Sequence, residues 1–529
     1  MNIKKITDYL SRCRWCNFKE DISRGYVTSV TLDKMPYDNN NKLFVIGEAT
    51  IVKPKDVLVE GDPLDAKVEQ KRFFSMPLQR KASLDFDQQE DALIMDGDIY
   101  MDAAKEPDFW QSLMTLIEEN DGVVKFPNGW TLERYNISHS EKIDAVIERS
   151  SKALGVEQSN TTLKVGDGEL AFKLERMLEF SHDFNSELEM NEKLMRENCN
   201  VMPKSFGGLI WRRPDGTQAS SGIMQEFVKN KGDMWGYLLE YLDGKLQEGY
   251  LRQRDLTPQD NPEFMQMFRL LNARTEEMSE CLSRADDNPA FTPEEVNERF
   301  IVAYEKQFKV LSYETKKNIL EHLDNLPEDT KVKAERLLSD WDNSVDGFVD
   351  DRINKISNAE NKGYIHRVHG DFHLGQVMVT PDNDLRFIDF AGEPALTMEQ
   401  RRDKYIYVRD IAGMYRSIKG YLAAEAVNRF VAKSPNADVA QERKAWAEKA
   451  IKPLIERASQ TFLGKKSLND PWLSLEVLRK NLYEVNYEVN NRPAMAFVPV
   501  NGLTDLLGAN VQTAANENFK EVGKTGTER

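Results

Sequence analysis

The residues best suited to chemistry lie in YIHRVHGDFHLGQVMVTPDNDLRFIDFAGEP, positions 364–394. Two apolar segments, Val377–Val379 and Leu385–Phe390, flank Pro381, Asp382, Asn383 and Asp384, a run of turn formers. This pattern predicts a hairpin. The two outer ends of a hairpin lie together, so Gln376 and Asp389 should be neighbours. The loop His369-Gly370-Asp371 delivers a third polar group to the same end. Two carboxylates and an amide oxygen suit a hard cation such as Mg²⁺, with phosphate oxygens completing its shell.

The spacing points to phosphoryl transfer. In the protein-kinase catalytic loop H-R-D-x-x-x-x-N, the Asp takes a hydroxyl proton and the Asn holds a metal. Here Gln376 follows Asp371 by five positions, and Asp389-Phe390 stands where a second metal-binding Asp belongs. Such chemistry also needs a strand Lys for the nucleotide phosphates and a helix Glu to hold it. Lys173 on a predicted strand and Glu189 on the helix predicted over 184–198 fill these roles. Glu187 is the competing carboxylate, two residues away and therefore on a different helix face. Ser221–Val228 reads as an apolar strand whose backbone could meet an adenine edge, with Glu226 and Val228 as contacts; an ordinary buried strand fits equally well.

These groups need a scaffold. The first ~95 residues read as β-rich. TSVTLDKM (28–35) and KLFVIGEATIVK (42–53) alternate apolar and polar residues, and DALIMDGDIYMD (91–102) turns at Asp96-Gly97. A further hairpin is predicted over 161–177, around Gly166-Asp167-Gly168. From 233 to 360 the pattern is helical, with a helix start expected at Thr292-Pro293-Glu294-Glu295. More helix is expected to about 490. Strands first and helices later imply an α+β fold in two lobes. The expected divisions are a cap over 1–95, the rest of the first lobe over 96–228, a mainly helical lobe over 229–517, and a polar tail over 518–529.

Composition narrows the function. The chain has 529 residues, 40% of them hydrophobic, and a net charge of −17, with a pI near 5.1 and mean hydropathy of −0.59. This balance disfavours nucleic acid and anionic membranes. No apolar run approaches the ~20 residues of a membrane span, and MNIKKITDYLSRCRW lacks the apolar core of a signal peptide. A cytoplasmic location is expected. Four cysteines make no disulfide scaffold. Cys13 and Cys16, around Trp15, read as small packing thiols rather than zinc ligands, since no second C-x-x-C exists.

The chain resembles the maltokinases associated with trehalose synthase, within the aminoglycoside-phosphotransferase and protein-kinase-like superfamily. The resemblance rests on EQSNTT (157–162), Lys173 with Arg176, the helix start 185–189, GDMW (232–235) and HGDFHLGQ (369–376). It also rests on IDF (388–390) with GEP (392–394), Arg401-Arg402, RDIAGMYRS (409–417) and YEVNYEVNNRP (483–493). Arg14-Trp15 fits the start of the family's cap subdomain. The chain departs from the family at Ala391 and Ser186, where Glu and Pro are usual. The resemblance implies a bilobal kinase-like fold with a β-rich cap, and ATP-dependent conversion of maltose to maltose 1-phosphate for α-glucan synthesis. It implies Asp371 as base, Gln376 and Asp389 as Mg²⁺ ligands, and Lys173 on the nucleotide phosphates. Gln158, Ser159, Asn160 and Thr161 would take the place of a glycine-rich loop. A functional association with trehalose synthase is also implied.

Acceptor-binding candidates are His373, Glu393, Arg409, Asp410, Tyr487, Glu488 and Arg492. Sugar hydroxyls need hydrogen-bonding partners and a ring face needs a platform. Salt bridges between helices are an equal alternative for the later members. His369 and His373 are expected to brace the loop. Three readings compete with maltose phosphorylation: a kinase of glucosamine or a maltooligosaccharide, a silent kinase-like binding module, and a zinc hydrolase built on His366, His369 and His373. The intact Asp371, Gln376, Asp389 and Lys173 argue against the silent module, and a zinc hydrolase would have no use for a Lys173–Glu189 pair.

Overall fold

A computed structural model describes residues 3–37, 41–54, 67–83, 92–104, 106–136, 151–153, 160–165, 169–285, 287–393 and 396–508. The expected turn at 166–168, Gln158, Ser159 and the tail 518–529 lie outside the described residues. The chain separates into two units. One comprises residues 1–198, 203–228 and 397–399; the other comprises 199–202, 229–396 and 400 onward.

The first unit holds two antiparallel sheets. The first orders its strands Val27–Tyr37, Lys42–Pro54, Lys67–Lys81, Asp98–Asp102 and Leu93–Met95, with Met177–Leu178 paired to Phe73 and Phe74. Asp96 and Gly97 turn the last hairpin with positive φ at both positions (52° and 92°), the geometry a two-residue hairpin loop demands. This sheet runs past the division expected at 95, because Asp98–Asp102 pairs with Lys67–Lys81. The β-rich reading also missed a helix. Ile3–Arg12 buries Ile6, Tyr9 and Leu10, a three- and four-residue repeat that packs with Trp15, Phe18 and Phe74. Cys16 joins this core, and burial pushes its thiol up to about 11 and that of Cys13 to about 12.

The second sheet is ordered Val123–Lys125, Thr131–Asn136, Ser205–Arg212, Gln218–Glu226, Leu170–Glu175, Asn160–Val165 and Ser151–Ala153. Leu170, Phe172 and Leu174 are buried in alternation on one strand, so Lys173 and Glu175 share its other face. Helix Ser186–Arg196 begins at Asn185, whose side chain accepts from the Leu188 amide at 3.0 Å. Leu188 packs on Ile210 and Ile223. Arg176 ties the two sheets together. Its Nε donates to the Ser75 carbonyl at 3.1 Å, its guanidinium pairs with Asp102, and it lies 4.6 Å from the centroid of the Trp15 ring.

The second unit is mainly helical. Helix Pro471–Asn491 buries Leu475, Leu478, Leu482, Val485 and Val489 and packs against helices Glu298–His322 and Arg409–Arg416. The predicted hairpin forms between Val377–Val379 and Leu385–Phe387. The expected helix start at 292–295 does not. Glu294-Glu295 is instead a strand paired with Tyr364–Ile365, and the helix begins at Glu298, where Asn297 accepts from the Phe300 amide at 3.0 Å. An Asn cap nearer the apolar repeat outcompetes the Thr-Pro signal, and the sheet takes the Val296 amide through the Gly363 carbonyl. No helix among the described residues is long and apolar enough to cross a membrane.

Arg176→Met should lower stability by about 2 kcal/mol, since a charge-assisted hydrogen-bond set is lost while Asp102 can still reach water. Urea unfolding checks this. An unchanged midpoint would mean that the sheets hold together without the guanidinium.

Candidate active site

The loop His369-Gly370-Asp371 leaves strand Tyr364–His366 and enters the single turn Leu374–Gln376. Its backbone is clamped by one carboxylate. Asp410 accepts from the His369 amide at 2.8 Å and from the Gly370 amide at 2.9 Å. Gly370 sits at φ 87°, and a Cβ there would lie 3.1 Å from the Gly392 Cα, so only glycine fits. Helix Arg409–Arg416, which carries Asp410, comes close because Gly413 has no side chain: a Cβ would stand 2.9 Å from the Phe372 carbonyl. The Ser417 hydroxyl, one residue beyond, accepts from the Leu374 amide at 3.2 Å.

Both expected histidine braces are present. His369 is fully buried, and its Nε2 donates to the Ile388 carbonyl at 3.0 Å, which assigns the proton to that nitrogen. Its ring lies 4.6 Å from that of Phe390. The Nδ1 of His373 accepts from the Gly375 amide at 3.1 Å and caps the turn. Burial lowers the His373 pKa, against the pull of Asp371, whose Oδ2 is 3.9 Å from Nε2.

The hairpin brings its two outer residues together as predicted. Gln376 Nε2 donates to Asp389 Oδ2 at 3.1 Å. Asp389 has φ 68°, a left-handed conformation costing a non-glycine residue ~1–3 kcal/mol. The strand expected to reach Phe390 therefore ends at Phe387. A carboxylate and a side-chain amide, both hard oxygen donors, stand side by side. Among the described residues no group of three His, Cys, Asp or Glu could hold a metal. The pair fits Mg²⁺ carried in by phosphates rather than an ion held by protein alone.

Beside Asp371 lies a residue that the sequence reading missed. Lys480 Nζ is 3.1 Å from Glu393 Oε1 and 3.8 Å from Asp371 Oδ1. Burial would raise the Glu393 pKa, but Lys480, Arg479 and Arg409 together hold it down to about 2. Arg409 approaches Glu393 at 3.5 Å and lies 3.9 Å from the centroid of the Tyr405 ring. The missed signal was periodicity: Lys480, Glu484 and Glu488 recur every four residues along helix Pro471–Asn491, with Arg492 just past its end.

Other acceptor candidates have different work. Asp410 serves the loop backbone. Glu488 is fully buried and bound by Arg492 at 2.6 Å and the Tyr421 hydroxyl at 3.0 Å. The Glu488–Arg492 pair is thus local, four residues apart at one helix end and not between helices, while Tyr487 is exposed.

In the first unit, Lys173 Nζ meets Glu187 Oε2 at 2.8 Å, where the sequence reading placed Glu189. The correction follows from the helix start. With Asn185 as cap, Glu187 lies in the first turn with its side chain only 2% exposed, and Glu189 is a half-turn away. Glu175 is pushed up to about 8 by burial and by Glu187, with Lys173 opposing. Thr161 is buried in strand Asn160–Val165. Glu226 ends its strand, and Phe227 next to it donates its amide to the Glu169 carbonyl at 2.9 Å, one residue before Val228.

Asp410→Asn should cost about 1–3 kcal/mol of stability, because an amide NH₂ replaces one acceptor oxygen and strands a buried N–H. It should also lower turnover more than it raises KM, since Asp410 fixes the loop rather than a ligand. Denaturation and steady-state rates on one preparation check both. A wild-type rate would release the loop from this clamp.

No known family profile matches the chain. A 145-residue segment is 33% identical to the glucosamine kinase of Streptacidiphilus jiangxiensis, covering 26% of this chain. The match spans only 31% of that relative's length. Among solved structures, a glucosamine kinase in complex with glucosamine, ADP and inorganic phosphate is similar over 91% of this chain and 94% of its own, at 16% identity and a TM-score of 0.53. Crystal form B of a glucosamine kinase is similar over 92% and 95%, at 16% identity and a TM-score of 0.55. The chain has the α+β kinase-like fold of these structures.

Proposed function

We propose that this chain is an ATP-dependent sugar kinase. The observation that carries the reading is Asp371, held on a doubly clamped loop, within one short hairpin of the Gln376–Asp389 oxygen pair and beside Lys480. An acceptor hydroxyl would lose its proton to Asp371 as its oxygen bonds to the γ-phosphorus of ATP and ADP departs. Mg²⁺ on Gln376 and Asp389 would neutralise phosphate charge. Lys173, held by Glu187, would bind the nucleotide phosphates.

For the acceptor, the site's charge supports a neutral sugar, and maltose is the one implied by the sequence motifs. Lys480 already supplies an ammonium to Glu393 and Asp371, so the amine of an amino sugar would meet a cation rather than a free carboxylate. A second reading, glucosamine, is favoured by the 33% identical segment of a glucosamine kinase. Delivery of maltose 1-phosphate to α-glucan synthesis, association with trehalose synthase and a cytoplasmic location rest on the motif resemblance alone.

Asp371→Asn is expected to lower kcat by ~10²–10⁴-fold with ATP affinity little changed; near-wild-type turnover would remove the base from this residue. In a panel of maltose, glucose and glucosamine with Mg·ATP, maltose should give the highest kcat/KM. Lys480→Met should raise the glucosamine-to-maltose ratio at least tenfold by opening Glu393 to an ammonium. If wild type already prefers glucosamine tenfold, the kinase reading stands and maltose falls.

A further inference from the structure

A cavity of about 190 Å³ in the second unit lies outside the residues assigned above. Helix Pro262–Ser283 forms one side with Glu276, Ser279 and Glu280; Tyr364, Tyr407 and Ile411 contribute to the rest. Its volume is below the ~300–1,000 Å³ of pockets for drug-sized ligands, a size for a single ring.

The lining combines two chemistries. Tyr364 and Tyr407 stack with centroids 5.2 Å apart and planes 15° apart. Near-parallel rings offer a flat platform, unlike the crossed walls that box in an organic cation. The same lining carries hydrogen-bonding groups still available to a ligand. Ser279, the Glu280 carboxylate and both tyrosine hydroxyls make no hydrogen bond among the described residues. Glu276 is neutralised by Lys466 at 3.1 Å. A flat apolar face with several donors and acceptors suits a pyranose, which has an apolar ring face and a rim of hydroxyls.

We infer that this cavity is a second, non-catalytic carbohydrate site that takes one sugar ring of a mono- or oligosaccharide. It also touches the clamp, because Ile411 lines the cavity and follows Asp410 on the same helix. A ring seated there would pack against the helix that holds the catalytic loop. The inference rests on the cavity's own chemistry and is independent of which sugar is phosphorylated.

The test is calorimetric titration of the full chain, without nucleotide, using glucose, maltose and maltotriose, with tetramethylammonium as the cation probe. Ser279→Ala with Glu280→Gln, both lining the cavity from helix Pro262–Ser283, and separately Tyr407→Ala, are compared with wild type. The expected result is a sugar-binding event weakened at least tenfold in both variants, while kcat/KM at low acceptor stays within twofold. Sugar binding that both variants leave unchanged, or tetramethylammonium binding in place of sugar, overturns the inference. Acceptor turnover with Mg·ATP, measured separately, reports on the kinase reading, so the two can fail independently.

Discussion

The second unit's chemistry depends on one buried carboxylate facing two consecutive backbone N–H groups. Asp410 gives one oxygen to His369 and the other to Gly370. Without it, both amides would be buried without partners, each a cost comparable to a lost hydrogen bond. With it, the loop adopts a left-handed turn at Gly370 and Asp371 is placed by main chain rather than by its own side chain. That leaves the Asp371 carboxylate free of fixing duties. Gly413 and Ser417 extend the same logic, the first by letting the helix approach Phe372 and the second by taking the Leu374 amide. One helix thus holds the loop at its start, middle and end.

The second constraint is charge. Glu393 is 3% exposed and stays ionised only because three cations surround it. A buried carboxylate with one partner removed would be unfavourable by several kcal/mol, so Lys480, Arg409 and Arg479 support one another around it. Lys480 faces both Glu393 and Asp371 and therefore links the buried cluster to the loop that carries Asp371. The first unit uses a related arrangement with opposite bias. Lys173 pairs with Glu187 at 2.8 Å, and Glu175 on the same strand is pushed up to about 8 by burial.

Much of this arrangement was legible in the sequence, and the missing parts share a cause. The hairpin that joins Gln376 to Asp389 follows from four turn formers between two apolar triplets, which are local facts. The Lys173 strand follows equally from alternation. What could not be read was the choice between equivalent partners. Glu187 and Glu189 lie two and four positions after the cap, so the pairing turned on where the helix began. At 292–295 a good local start signal lost to Asn297 and to strand pairing with Tyr364–Ile365. The clamp made by Asp410 was not legible, because sequence cannot show that two backbone amides, forty residues upstream, need an acceptor. Helix Ile3–Arg12 was legible in its spacing but was masked by the strongly alternating strands that follow.

Motif and acceptor therefore depend on different kinds of residue. Asp371, Gln376 and Asp389 sit within twenty residues of chain, where turn chemistry and register force Gln376 and Asp389 together. The groups around Asp371 that would meet an acceptor come from Glu393, Arg409 and Lys480, drawn from a loop and two separate helices. A change of sugar can be made on helix Pro471–Asn491 without moving the hairpin, because Lys480 reaches Asp371 only through its side chain. A change at Asp410 cannot be so confined, since it acts on the backbone that both functions share. The hairpin geometry is accordingly fixed by local sequence, while the charges around Glu393 are assembled from segments far apart in the chain.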